Sequence, residues 1–314
     1  MKPGAMVDAV ASTRRDTLIS NGALAIMVVL WGSSFPVINA LVQTWDVLSA
    51  TASRQLVAAT MLLGLIAIRE RRFPLRRSQP WRKLIILGTF GLALSSALMT
   101  TAISTGGVVA TAMMSAASPI VAALTARAVF GMPLYGGIVA GTLLAAAGGL
   151  VIVVMGNGGT TEFRGGEILV ILATVCWTWY SQAAQRWLAG YSQLHITGLT
   201  VATGGVALVA LAAILNVTGV YETRFDLTPA TVAMVLYLGI IPIGIGAWLW
   251  MFAVSRLGVT VASIYHNFVP VSAVLVAMAA FGATPTIYHL IGGVIILAGV
   301  VYSQIRSRAE KKAS

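Results

Sequence analysis

Ten runs of roughly twenty residues, each almost free of charge, fill most of the chain, and a run of that length as a helix spans the hydrocarbon core of a bilayer. Only helices and closed barrels satisfy their own backbone polar groups in lipid. These runs are too long and too evenly apolar to be the alternating strands of a barrel. The expected fold is therefore an all-α integral membrane protein with ten transmembrane helices, near 19–42, 48–68, 84–104, 108–130, 137–155, 166–187, 195–217, 231–254, 259–281 and 286–305. The chain is 58% hydrophobic and 9% charged, against about a quarter charged in soluble domains.

The few charges are placed unevenly, and that places the ends of the runs. Lys and Arg remain on the cytoplasmic side of a bilayer. With ten spans and a cytoplasmic N-terminus, the basic residues gather on one side: Arg14 and Arg15, the loop from Arg69 to Lys83, Arg127, Arg186, Arg256, and the tail from Arg306 to Lys312. The other side holds Asp46, Glu162, Glu167, Glu222 and Asp226, with only Arg164 and Arg224. An odd number of spans would spoil that division. The net charge of +11 is then a topology signal with some attraction for anionic lipid, and no nucleic-acid partner is expected. The single cysteine, Cys176, lies inside a run, so neither a disulfide framework nor a metal cluster is expected, and no cofactor is called for. The Arg14-Arg15 pair has the look of an export signal, but the apolar run after it is longer than a signal's and lacks a small-residue cleavage site. It reads as an uncleaved first helix.

Self-similarity organises the rest. Shifted by 151 residues, runs three to five fall on runs eight to ten without a gap. Leu87-Gly88 meets Leu238-Gly239, Pro119 meets Pro270, and Phe130-Gly131 meets Phe281-Gly282. A shift of 146 places Trp31 on Trp177. The repeat holds five runs, an odd number, so two copies would thread a membrane in opposite senses. Inverted repeats place a binding site near the midplane, at the seam between halves, and open it to either side in turn. The expected organisation is a cytoplasmic tail at 1–18, a first five-helix repeat at 19–155, an outer linker at 156–165, a second repeat at 166–305 and a basic cytoplasmic tail at 306–314, around a central cavity.

Several of these residues carry a resemblance. The Trp31-Gly32 pair, Arg54 in the second run, and Pro119 and Pro270 ahead of Phe-Gly in runs four and nine resemble the drug/metabolite transporter superfamily, EamA type, over essentially the whole chain. The resemblance implies a ten-helix basket with both ends cytoplasmic, exporting small metabolites from a bacterial inner membrane. Within the superfamily the chain is most similar to exporters of aromatic and other neutral amino acids. Many members carry Glu after the Phe-Gly pair; here Met132 and Ala283 stand there, so no role of that Glu carries over.

Polar and aromatic side chains within apolar runs are the candidates for a pathway, because a buried polar group in lipid needs a partner or water. Run one offers Trp31, Ser34 and Asn39, with Pro36 to kink it. Met99, Met113, Met114 and Ser118 follow in runs three and four; methionine adapts to varied apolar ligands and also fills cores. Run six places Trp177, Tyr180 and Ser181 on one helical face. Run eight has Trp248 and Trp250, of which Trp248 is taken as the cavity candidate. Tyr265, His266 and Asn267 precede Pro270. Pro119 and Pro270 are read as kinks beside the cavity. Arg54, the one charge well inside a run, could hold a substrate carboxylate or serve structure.

No Asp or Glu lies in the core of a run, so a facilitator or loosely coupled carrier is expected, with a neutral or zwitterionic small molecule as substrate. Exporters of cationic drugs, lipids or other metabolites are the alternatives. A membrane-embedded enzyme would need a recognisable nucleophile, metal or carboxylate motif, and none is present. A monomer is compatible with this reading, which leaves oligomeric state open.

Overall fold

The computed structural model describes residues 3–71, 79–115, 117–131, 136–155, 165–257, 262, 265 and 268–313. All regular structure among them is helical. The helices are α1 (Pro3–Leu41), α2 (Val47–Glu70), α3 (Trp81–Gly106), α4 (Val108–Ser115), α5 (Ser118–Phe130), α6 (Gly136–Met155), α7 (Gly166–Trp187), α8 (Gln193–Val217), α9 (Pro229–Leu257), α10 (Val269–Phe281) and α11 (Ile287–Ala313). Five described segments are long and apolar enough to cross a membrane: Asp16–Leu41 of α1, then α2, α3, α8 and α9. The pair α4–α5 reaches that length only together, across a bend of 56°. The outward surface is apolar, with Ile68, Leu143, Val206 and Leu275 exposed, as a lipid-facing surface must be.

Local chemistry sets the helix ends, and it recurs at the repeat spacings. Asp46 caps α2 by accepting from the Ser49 amide at 2.8 Å, and Ser192, 146 residues later, caps α8 by accepting from the His195 amide at 3.3 Å. Gly131 ends α5 with φ 64°, and Gly282, 151 residues on, ends α10 with φ 63°; that left-handed backbone favours a residue without Cβ. Helices α3 and α9 each contain a π-helical segment at the equivalent point, Leu87–Ala93 and Gly239–Gly246. Such wide turns shift the hydrogen-bond register and expose backbone carbonyls to neighbours.

Packing exchanges the two halves. α1 lies against α9 and α10, and its counterpart α7 lies against α3, α4 and α5. α2 packs on the π segment of α9, and α8 on the π segment of α3. α2 pairs with α8, and α6 with α11. Small residues permit the closest approaches. A Cβ on Gly32 would lie 2.5 Å from the Ser272 Cβ and 2.8 Å from the Ala273 amide on α10. A Cβ on Gly148 of α6 would meet the Gly292 carbonyl of α11 at 2.6 Å.

The core is not evenly distributed along the helices. Of the large, fully buried side chains of α1, α2 and α3, Leu24, Met27, Leu62, Ile66, Leu84 and Leu87 lie in the halves remote from the α1–α2 turn, and Leu41 and Ile103 lie toward it. At the turn itself, Asp46 does more than cap. Its carboxylate accepts from the Tyr221 hydroxyl at 3.0 Å and the Arg224 amide at 2.8 Å, and the Trp45 indole donates to the Asp226 carbonyl at 2.8 Å. The segment between α8 and α9 is thereby fastened over the start of α2.

Candidate functional site

A cavity of about 180 Å³ lies at the seam of the two halves. Its wall takes side chains from α1, α2, α3, α4 and α5 on one side of the sequence and from α7, α9 and α10 on the other. On α1, α2, α3 and α7 the lining residues sit from the middle of the helix toward the α1–α2 turn, opposite the densely packed end.

An aromatic cluster forms one wall. The Trp31 ring stands edge-on to Trp177 with centroids 5.4 Å apart, and lies 5.6 Å from Trp250. Tyr180 extends the cluster, 5.4 Å from Trp177. Trp31 is fixed by the fold of the other half: its indole donates to the Pro242 carbonyl at 2.9 Å, inside the π segment of α9. Gly246 leaves room for it, since a Cβ there would lie 2.6 Å from the indole nitrogen. Tyr180, one turn beyond Trp177, comes as close to the π segment of α3, where a Cβ on Gly91 would lie 2.6 Å from its own Cβ. Trp31 and Trp177, equivalent positions in the two halves, therefore meet one another beside the cavity.

The polar wall faces them. Arg54 is 4% exposed, and its Nη2 donates to Ser96 Oγ at 3.1 Å and to Thr100 Oγ1. Among the described residues it is the one charged side chain of the lining. Gln55 beside it is fully buried. Neither polar atom of the Gln55 amide has a hydrogen-bond partner, nor does Arg54 Nε or Trp177 Nε1. Serine hydroxyls complete the wall, each spending its proton on a backbone carbonyl: Ser34 to Trp31 at 2.6 Å, Ser95 to Ala173 at 2.7 Å, Ser118 to Ser115.

Of the candidates read from sequence, Trp31, Ser34, Arg54, Met99, Ser118 and Trp177 line this cavity. Others are placed elsewhere, for local reasons. Tyr180 is wholly buried behind the wall and bonds Thr200 Oγ1 at 2.8 Å. Ser181 is buried too, receiving the Trp250 indole at 3.4 Å. Met113 packs over Gly293 of α11 and Met114 over Gly149 of α6, filling the space those glycines leave. Trp248 turns away toward Phe252, while Trp250, two residues on, joins the cluster. Asn39 and Tyr265 are half-buried outside the lining. His266 and Asn267 lie outside the described residues.

The prolines take two kinds of position. α1 continues through Pro36 unbroken. Pro119 and Pro270 occupy the first turn of α5 and α10, where a missing amide costs nothing, so the first half bends by a helix break before Pro119. The sequence reading missed Gln55, whose signal was a polar side chain next to Arg54 in an apolar run. It also missed Pro242, whose contribution is a carbonyl.

Residues 19–154 and 164–303 each match the EamA-like transporter family. The chain belongs to that family. It is 29% identical over 290 residues, 92% of this chain and 95% of the relative, to a protein of Streptantibioticus cattleyicolor named "Probable terminal-alkyne amino-acid exporter". It is 22% identical to the uncharacterized transporter YdfC of Bacillus subtilis, covering 90% of each. A solved crystal structure with 22% identity superposes with a TM-score of 0.67 over 95% of this chain and 99% of the other, which shows a shared fold. The chain is thus a membrane transporter with two copies of the family's unit.

Proposed function

We propose that the protein exports small amphipathic metabolites, aromatic and other neutral amino acids foremost, across a bacterial inner membrane by alternating access. Ten helices would cross the bilayer as two inverted five-helix repeats, with both termini cytoplasmic. The observation that carries this reading is the cavity itself. Both halves build it at their seam, and equivalent tryptophans, Trp31 and Trp177, meet beside it. Aromatic rings would hold an apolar side chain, and the Arg54–Gln55 wall would hold its polar end. The amino-acid exporter relative supports the substrate class.

With the basic end cytoplasmic, the cavity is displaced toward the outside and the packed half seals the cytoplasmic end. That shape is an outward-facing state. No acidic side chain lines the cavity among the described residues, which favours a facilitator or a loosely coupled carrier over a cation-binding drug exporter.

The test is flux. Purified protein in liposomes should carry labelled phenylalanine or tryptophan saturably, with little change on imposing a pH gradient. Trp177→Ala should lower that flux by about tenfold, as expected for loss of an aromatic contact and a buried donor. Flux of no amino acid would overturn the reading, and undiminished flux in the variant would remove Trp177 from the pathway.

A further inference from the structure

Transport of neutral amino acids leaves one property of the cavity unaccounted for. Among the described residues that line it, the buried polar atoms left without a partner are mostly donors. Arg54 keeps its proton at any physiological pH. Its Nη2 is tied to Ser96 and Thr100, which fixes the plane of the guanidinium and leaves Nε bare. Gln55 Nε2 and Trp177 Nε1 are buried and equally bare, and among the described lining residues Gln55 Oε1 is the one buried side-chain acceptor without a partner. A buried guanidinium without a counter-ion is costly, and truncated pairing in such a site is costlier than the pair is favourable. Among the described residues no carboxylate lines the cavity to supply that counter-ion.

Resting on the transport reading above, we propose that Arg54 and Gln55 form a carboxylate site, and that the cavity selects small amphipathic monocarboxylates whether or not they carry an ammonium group. A carboxylate brings acceptors in the planar arrangement that an arginine fork matches, and it neutralises the buried charge. An ammonium group brings three more donors and a second positive charge. The wall has nothing anionic for it: the serine hydroxyls offer only lone pairs, and the indole faces a weak cation attraction. The apolar body of the ligand lies against Trp31, Trp177 and Met99. An amino acid is then one member of the accepted class, held by its acid end.

Three ligands of one size separate the terms: phenylalanine, its methyl ester, which lacks the carboxylate, and 3-phenylpropanoate, which lacks the ammonium. Binding is read on the purified full-length protein in detergent and flux in liposomes. 3-Phenylpropanoate should bind as well as phenylalanine or better, and the ester should bind at least about tenfold more weakly, the range of a charge-assisted hydrogen bond. Arg54→Gln should erase the preference for acid over ester while the protein still elutes as a folded species. Trp177→Phe, which keeps a ring and removes the donor, should narrow the preference without erasing it. If Arg54→Gln does not fold, the wild-type series alone decides. An ester that competes as well as the acid, or loss of binding when only the ammonium is removed, overturns the carboxylate assignment while leaving export standing. If none of the three ligands binds or crosses, the transport reading falls and takes this assignment with it.

Discussion

Replacing Gly32 with alanine tests the closest contact between the two halves, and the sign of the result is informative. In an exposed helix the change would stabilise by about 1 kcal/mol, because alanine restricts the unfolded backbone and favours helix. Here the new Cβ would stand 2.5 Å from the Ser272 Cβ and 2.8 Å from the Ala273 amide nitrogen. The Ser272 side chain could rotate its hydroxyl away, but neither its Cβ nor the backbone of α10 can turn aside. Restoring ordinary contacts of about 3.5 Å requires α1 and α10 to part by roughly 1 Å at the Ser272 Cβ and roughly 0.7 Å at the Ala273 amide. Overpacking of that kind costs about 1–3 kcal/mol, enough to cancel the propensity gain and leave a net loss. The second half of the test is Ser272→Gly. It removes the side-chain clash and keeps the Ala273 contact, so it should recover part of the loss, giving a coupling of about 0.5–3 kcal/mol between the two positions. Equilibrium unfolding in mixed micelles measures all four members of the cycle. A Gly32→Ala protein more stable than the wild type, or strict additivity with Ser272→Gly, would refute the contact as the reason for the glycine.

Other perturbations follow from the same geometry. Tyr180→Phe removes a bond to Thr200, whose hydroxyl keeps its bond to the Ile196 carbonyl, so nothing is orphaned; stability should fall by about 1 kcal/mol in unfolding measurements, with flux retained. Asp46→Ala deletes the α2 cap and two bonds to the segment above it, and should cost about 1–3 kcal/mol by the same assay. Burial, and then the neighbouring Asp46 carboxylate, raise the Tyr221 phenol above its usual range. Its share of stability is therefore complete below about pH 10 and lost as pH rises through the higher folded value, and Tyr221→Phe should flatten that alkaline decline in the unfolding midpoint. Trp250→Ala should destabilise by about 3–5 kcal/mol and abolish flux, while Trp248→Ala leaves flux near wild type in liposomes.

The sequence was most informative where one residue decides a local outcome. Asp46, Ser192, Gly131 and Gly282 each end or begin a helix by their own chemistry; the repeat spacings of 146 and 151 residues recur in those caps, and the two π segments fall within two residues of the second. Apolar runs placed helices such as 48–68 and 195–217 within two residues of α2 and α8. What periodicity could not supply was the partner across the seam. Met113 and Met114 read equally as cavity lining or core filling until Gly293 and Gly149, on other helices, are seen to leave the space they fill. Trp248 and Trp250 lie on the same helix two residues apart, so composition cannot rank them. Only the facing positions of Trp31 and Trp177 do.

The same consideration applies to the adjacent Trp31 and Gly32 of α1. Trp31 reaches into the π segment of α9, and Gly32 lets α10 approach α1. Adjacent residues thus contact two successive helices of the opposite half. The cavity wall and the seam that would have to rearrange in alternating access are coupled through one peptide bond. A substitution at Gly32 that separates α1 from α10 must then move the Trp31 indole relative to the Pro242 carbonyl, so packing strain and ligand affinity should change together. Ligand binding measured across the Gly32 and Ser272 cycle gives the decisive comparison. If affinity stays constant while stability varies over the four proteins, the wall is independent of the seam, and the coupling does not exist.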